Sequence, residues 1–504
     1  MDIEQKIEKN SQILLSFIAK NKSLFLAIFL TGCFAYGYEI TNMTFGIDEE
    51  LLWQYPESQR QESWMRQSRW GMIAYLRFLL PAIEYPFVSC VTGILFLSLA
   101  YTLWLSAHHN AGTMGKAVFG CLAISFPTFA HVQQFAYMGA FVACSVFLVF
   151  AAYYVFTQAT GSTVSRYLVP IFILAFAAST HQSVIYIFFI PFLFDALSAS
   201  MNRSLCYKYF VSQMVKMLVI TASAIILYFC ITISLRAITG ISSSGYVERV
   251  FILFHHDAIV TINRIFHAAK SELSGNTFTY QLMYAIIFPV AYILFTTKDK
   301  VQTFVIILII FIYYIFYNAV FGWWQPSRSR MFLPVFFAGF FYLAFGATRN
   351  LGKMCIVIFS IYAILLHSSI ITRLFMTDAF ARKRDYLIAS RITNYMYDVH
   401  PSFISSRTPV AFIGFIPDSE NILSSRRDRE VFGGSFWQWD RGNPQRMRRY
   451  LTALGLPDFR VTGREENKKL AESETVRRMP AWPSSGFVKL HNGFLVVKLS
   501  ETAN

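Results

Sequence analysis

Charge is scarce in this chain. Asp, Glu, Lys and Arg make up 14% of its 504 residues, against about 25% in an ordinary soluble protein. A disordered protein and an ordinary soluble enzyme are thereby excluded. Cysteine is sparse and unpatterned: Cys33, Cys90, Cys121, Cys144, Cys206, Cys230 and Cys355 lie in or beside apolar stretches, with no C-x-x-C pair. Neither a disulfide framework nor a zinc site is expected, and these residues read as small buried apolar groups. Nucleotide signatures are missing as well. There is no Walker A loop, no G-x-G-x-x-G behind a strand and no D-x-D pair. The first 22 residues have no signal-peptide pattern, so the first apolar run is expected to stay in the protein. No internal repeat is visible.

Apolar side chains are abundant. They form 55% of the chain, aromatics 17%, and the mean hydropathy is +0.44. The net charge of +15 would suggest a nucleic-acid partner in a soluble protein. Here it reads as Lys and Arg anchoring loops at anionic lipid headgroups, with no nucleic acid involved. A span needs roughly 20 mostly apolar residues. Eleven runs qualify or nearly do: 23–40, 87–107, 117–130, 138–156, 167–179, 184–197, 217–235, 282–295, 301–320, 331–345 and 354–371. The expected fold is an all-α polytopic membrane protein.

Loop charges orient it. With the N-terminal tail 1–22 inside, every inside segment holds Lys or Arg, from Lys6, Lys9, Lys20 and Lys22 through Lys116, Arg166, Lys208 and Lys298 to Lys353. The outside loops hold arginines instead: Arg66, Arg69, Arg77, Arg236, Arg249, Arg264, Arg328 and Arg330. Arginine is the residue for bidentate phosphate recognition. The membrane domain then covers 23–371, with a long first outside loop at 41–86. From 372 to 504 the composition becomes that of a soluble domain, expected outside the membrane and α/β. Residues 378–398 read as a helix, 409–415 as a strand and 443–454 as a helix with Pro444 in its first turn and Gly455 as its stop. The end, 486–500, reads as a hairpin around Asn492-Gly493.

Two clusters carry candidate chemistry. The first loop holds Asp48, Glu49 and Glu50 in succession, with Glu39 inside the end of the first span. The bland reading is an N-cap with two dipole-compensating carboxylates. The functional reading is a general base at the membrane surface, its pKa raised by desolvation. Farther along, Arg66, Arg69 and Arg77 fall within about 80° of one another on a helical wheel, with Trp64, Trp70 and Tyr75 as interfacial aromatics. One surface helix with an arginine stripe is expected, either snorkelling or clamping a lipid-linked phosphate. The second cluster is Trp323-Trp324 with Arg328 and Arg330: rings on which sugars stack and cations for a phosphate, or simply an aromatic belt. His131 with Gln133 and Gln134, and His181 with Gln182, could bind sugar hydroxyls or be structural. Arg426, Arg427 and Arg429 read as a solvated face, and Asp195 as a snorkelling helix-end residue. A transporter of lipid-linked sugars is the rival class. It would place charged or broken-helix sites near the midplane, whereas the informative residues here gather on one side.

The Ile47-Asp48-Glu49-Glu50 motif, followed by Ser68-Arg69-Trp70-Gly71, resembles the serotype-converting O-antigen glucosyltransferases, the type II Gtr proteins. Val431 to Phe436, Gly442-Asn443, Met479 to Pro483 and Val496 to Ser500 are similar to the same family. Family members more often have Gly where Ser68 stands. The resemblance implies a GT-C-like membrane glycosyltransferase that uses undecaprenyl-phosphate-glucose and an O-antigen (lipopolysaccharide) acceptor on the periplasmic side. It implies an essential carboxylate, here Asp48 or Glu49, and partner proteins in the form of a flippase and a donor synthase. Glu50, Arg66, Arg69, Trp70, His181, Gln182, Trp323, Trp324, Arg328 and Arg330 are then the expected substrate-binding residues. No cofactor is established; Glu49 and Glu50 leave Mg²⁺ or Mn²⁺ open.

Overall fold

The computed structural model describes residues 3–42, 44–50, 57–79, 85–107, 112–158, 163–245, 258–275, 277–321, 326–417 and 431–501. It divides into two compact units. The first comprises Met1–Met43 and Gln61–Thr372; the second comprises Thr44–Arg60 and Arg373–Asn504.

The first unit is helical. Among the described residues, seven helices are long and apolar enough to cross a membrane: Pro86–Ser106, Gly112–Gln133, Ala136–Gln158, Gln182–Met201, Tyr207–Thr239, Lys300–Ala319 and Asn350–Val399. Three shorter apolar helices, Val164–Ala178, Met283–Thr296 and Leu333–Ala347, lie among them. The first apolar run falls on the helices Ile3–Ala35 and Gly37–Asn42. Small residues let these helices approach closely. A Cβ on Gly120 would lie 2.2 Å from Ile28 Cδ1, so a larger residue there would make Ile28 shift.

The helix Tyr207–Thr239 shows why this unit belongs in lipid. Phe210, Gln213, Met217, Ile220, Ala224, Tyr228 and Thr232 are its buried face. Val211, Val215, Leu218, Val219, Ile226, Phe229 and Ile233 are exposed and all apolar. Water would penalise that stripe, whereas hydrocarbon does not. Ile226, 63% exposed, is the place to test it. Ile226→Lys is expected to make insertion less favourable by about 2.5–3.5 kcal/mol, the cost of a central cation in a span. The measurement is the fraction of chain that resists alkaline extraction from membranes; an unchanged fraction would contradict lipid exposure.

The segment Glu57–Leu79 departs from the expected single arginine-striped helix. Glu57–Arg66 is a helix, and the chain then turns. Ser68 adopts φ 62°, and Arg69 N–H donates to the Trp64 carbonyl at 2.8 Å. This is the six-to-one bond of a helix C-cap. A new helix, Trp70–Ala74, and a π-turn, Tyr75–Leu79, follow. Arg66, Arg69 and Arg77 therefore lie on three different local structures and do not form one stripe.

The helix Asn350–Val399, whose part from Arg373 onward belongs to the second unit, runs unbroken through residue 372. The expected gap between a last span and a separate helix is absent, because the linking residues Thr372 to Thr377 contain no Gly or Pro to stop it. A three-stranded sheet is ordered β1 (Val410–Ile413), β3 (Phe494–Lys498), β2 (Val488–His491). β1 runs parallel to β3 and β2 antiparallel to it. Asn492 and Gly493 take φ 48° and 77°, the two left-handed residues of a type I′ hairpin turn. Ala411, Ile413, Leu470, Val476, Met479 and Val496 form a small core.

The segment Val431 to Trp437 packs on this helix through two buried aspartates. Asp378 Oδ1 accepts from Gly433 N at 2.5 Å. Asp385 accepts from Ser435 Oγ at 2.6 Å and Phe436 N at 2.9 Å, and its carbonyl accepts from Trp437 Nε1 at 3.1 Å. Burial pushes the Asp385 carboxyl up, opposed by Arg382 and these hydrogen bonds. Arg382 lies over the Phe436 ring, 4.3 Å from its centre, and Phe436 stacks on Tyr450 at 4.4 Å. Gly434 leaves room for the next element: a Cβ there would sit 2.9 Å from Ile47 Cγ1.

Candidate active site

Ile47 is fully buried and Phe45 lies 5.9 Å from Phe436. These two apolar anchors fix the acidic turn within the second unit. Asp48 adopts φ 77°, a left-handed conformation that Asp tolerates better than most residues. A helix N-cap is extended, so Asp48 does not have capping geometry. Glu49 Oε2 accepts from Gly46 N at 2.6 Å.

Asp48 and Glu50 instead converge on Arg446. This arginine is the third residue of the helix Pro444–Ala453, which Asn443 caps by accepting from Gln445 N at 3.0 Å. Arg446 Nη2 donates to Asp48 Oδ1 at 2.7 Å, Nη1 to Glu50 Oε1, and Nε to Asp440 Oδ2 at 2.6 Å. Asp440, Arg441 and Gly442 have successive φ values of 53°, 57° and 79°, a tight left-handed turn just before the helix. The Gly442 position is forced, since a Cβ would lie 2.6 Å from the Gly414 carbonyl oxygen.

The carboxylates differ in exposure. The Asp48 side chain is 34% exposed and that of Glu50 is fully buried. Among the described residues, the buried Glu50 Oε2 has no hydrogen-bond partner. Burial pushes the Glu50 carboxyl up; Arg446 pulls it down and Asp48 adds to the rise. Burial disfavours the Arg446 charge, but Asp48 and Glu50 outweigh it and the guanidinium is held more firmly protonated. Among the described residues no three His, Cys, Asp or Glu side chains are placed to share a metal ion. Glu49 and Glu50 each have one oxygen engaged, Glu49 with Gly46 N and Glu50 with Arg446.

A second constellation lies in the first unit around Arg69. Tyr228 Oη donates to the Ser68 carbonyl at 3.0 Å, and Gln182 Nε2 donates to the Gln67 carbonyl and to Tyr228 Oη, both at 3.1 Å. Arg236 Nη2 donates to Ser68 Oγ at 2.9 Å, and Trp70 Nε1 to Thr232 Oγ1 at 3.2 Å. Gly71 N–H reaches the Ser179 carbonyl at 3.1 Å, and a Cβ on Gly71 would strike Ser179 Oγ at 2.1 Å. The Ser68-Arg69-Trp70-Gly71 motif is thus a docked turn. Gln182 and Trp70 help to hold it in place.

His181 belongs to the same neighbourhood. Its Nδ1 lies 2.8 Å from Ser183 Oγ. Burial, then the Arg69 and Arg328 guanidiniums, push its pKa well down, so the ring is neutral. Arg328 stands 5.3 Å over the Phe135 ring. Arg69, His181 and Arg328, far apart in sequence, are therefore electrostatic neighbours. Arg330 is placed differently: it forms a buried ion pair with Glu272, whose Oε2 also accepts from Tyr314 Oη at 2.6 Å. Arg66 pairs at 2.7 Å with Glu62, one helical turn away. His131 Nε2 lies 2.9 Å from Thr279 Oγ1 in the interior, and Asp195 accepts from Tyr153 Oη. Trp323, Trp324 and Arg426 to Arg429 lie outside the described residues.

A family model described as Glucosyl transferase GtrII matches residues 37–372. The chain belongs to the GtrII glucosyl transferase family. No curated protein and no solved structure matches it significantly. GtrII membership makes the chain a glycosyltransferase, and its apolar helices make it a membrane protein. The GtrII match takes in Asp48, Glu49 and Glu50, the Arg69 turn, His181-Gln182 and Arg328. It ends at 372, so Arg446 and Val431 to Trp437 lie beyond it.

Arg446, Asp440, Asp385 and Glu272 are the residues that sequence reasoning missed. Arg446 is one of three arginines in the run Gln445 to Tyr450, with no local feature to single it out. Asp440 had a faint signal, since it precedes the Gly442-Asn443 pair.

Proposed function

We propose that this GtrII-family enzyme transfers glucose from undecaprenyl-phosphate-glucose to a hydroxyl of O-antigen, on the periplasmic face of the bacterial inner membrane. Within the GtrII glucosyl transferase family, the observation that carries this reading is the acidic turn: a partly exposed Asp48 held in a defined place by Arg446. The acceptor oxygen bonds to the anomeric carbon as the bond from that carbon to the phosphate oxygen breaks. Asp48 takes the acceptor proton. The leaving group is undecaprenyl phosphate, and a single displacement inverts the anomeric centre. Glu49 remains the alternative base.

Arg69 and Arg328, neighbours within the first unit, are our choice for holding the phosphate of the lipid-linked donor, since planar guanidiniums match phosphate oxygens two at a time. Arg330 has its charge compensated by Glu272 and takes second place. Neutral His181, and Trp323 and Trp324, suit sugar hydroxyls and sugar faces. The same reading has eleven spans, an inside N-terminus and an α/β C-terminal domain outside that grips the polymeric acceptor. It also has a flippase and a donor synthase as partners.

The test is the O-antigen itself. Mass spectrometry of the polysaccharide with and without this gene should differ by one hexose per modified repeat, and identical spectra would sink the proposal. Arg69→Lys checks the phosphate role. Lysine keeps the charge and loses the fork, so donor KM should rise about tenfold or more, the loss of roughly 1.4 kcal/mol of binding. A wild-type KM would return Arg69 to a structural role.

A further inference from the structure

We propose that Arg446 is the positioning residue of the acidic turn: its three-pronged ion pairing sets the geometry of Asp48 and Glu50, and the resulting anionic nest receives neutral sugar hydroxyls rather than phosphate. The proposal deepens the reading of Asp48 as the base and rests on it.

Three observations combine. First, the three nitrogens of the guanidinium, Nε, Nη1 and Nη2, each meet a different carboxylate, Asp440, Glu50 and Asp48. With three of its five N–H donors given to carboxylates, this arginine is a poor bidentate partner for a phosphate. Second, three carboxylates to one guanidinium leave two net negative charges when all are ionised. Such a nest repels a phosphate and attracts hydroxyl donors. Third, the two carboxylates differ in access: Glu50 is fully buried, its Oε2 without a hydrogen-bond partner among the described residues, whereas Asp48 is 34% exposed, so a sugar hydroxyl donates to Asp48. The charged groups facing Asp48 and Glu50 are Arg446 and Asp440, with Glu49 adjacent on the turn.

The location of Arg446 adds to the case. It sits in the first turn of the helix Pro444–Ala453, where the helix dipole disfavours a cation by some tenths of a kcal/mol. The carboxylates offset that penalty. The arrangement is local to the second unit, so the acidic turn and the helix bearing Arg446 fold as parts of one body.

The experiment uses the purified full chain in detergent, with lipid-linked glucose and O-antigen. Initial rates are measured across pH for wild type, Arg446→Lys, Arg446→Gln, Arg446→Gly and Asp48→Asn, alongside melting curves. Arg446→Lys keeps one charge but cannot span three carboxylates. Its kcat should fall by about 10²-fold, the scale of a misplacement near 1 Å, with donor KM unchanged. Arg446→Gln removes the charge. The carboxylates then hold protons more tightly, and the acid limb of kcat/KM should move to higher pH. Millimolar guanidinium should restore part of the Arg446→Gly activity. Two results would overturn the proposal. One is full activity of Arg446→Gln. The other is a loss that tracks the unfolded fraction, with an unmoved pH profile and no rescue. If Arg446→Gln is impaired and shifted while Asp48→Asn is active, the positioning role stands and the base assignment falls. If Asp48→Asn is dead while Arg446→Gln is normal, the reverse holds.

Discussion

Asp48→Asn is expected to fold and to lose about 10²–10⁴-fold in transfer rate, the range for removal of a general base. Asparagine has nearly the same shape, and its carbonyl oxygen still accepts from Arg446 Nη2, which now meets Asp48 Oδ1 at 2.7 Å. The partial exposure of Asp48 makes loss of the pair a modest stability effect, within about 1 kcal/mol. Rate and stability thus separate in one variant. A capping residue would behave otherwise, because Asn caps about as well as Asp. The measurement is single-turnover transfer from the lipid donor together with a melting curve. A near-normal rate would move the base to Glu49.

Glu272→Ala should strongly destabilise the first unit. Glu272 and Arg330 are both buried, with side-chain exposures of 5% and 6%. Removing the carboxylate leaves a guanidinium in the interior without its counter-charge, which costs about 3–5 kcal/mol. Tyr314 loses its acceptor as well. Replacing both charges, as Glu272→Leu with Arg330→Met, should recover most of the loss, because an apolar pair of similar volume needs no compensation. Thermal unfolding of the two variants in detergent checks this. Equal stability of Glu272→Ala and wild type would mean that the pair contributes nothing.

Sequence and structure agree best where the signal is local. Asn492-Gly493 between two apolar runs could only be a tight hairpin, and its left-handed φ values follow. Pro444 and Gly455 bracket the helix Pro444–Ala453 for equally local reasons. Apolar runs mark helices because each is long enough to need one. The misses have a common cause in tertiary partners. Nothing in Gln67-Ser68-Arg69 announces a helix end; the turn is held by Tyr228, Gln182 and Arg236 from distant helices. The Arg446 pairing joins residues 398 positions apart, and no local pattern encodes that. Arg328 and Arg330 look interchangeable in the sequence, yet Glu272 claims one of them.

The central claim is inverting transfer from a polyprenyl-phosphate sugar through Asp48, and the stereochemistry of the first-formed product tests it most directly. Purified enzyme is incubated with undecaprenyl-phosphate-glucose of known anomeric configuration and an O-antigen acceptor, and the new linkage is assigned by the one-bond carbon–hydrogen coupling at C1. The account predicts a glucosyl linkage of opposite configuration, formed by the wild type and lost in Asp48→Asn. A linkage of retained configuration, or equal product from the variant, would contradict it.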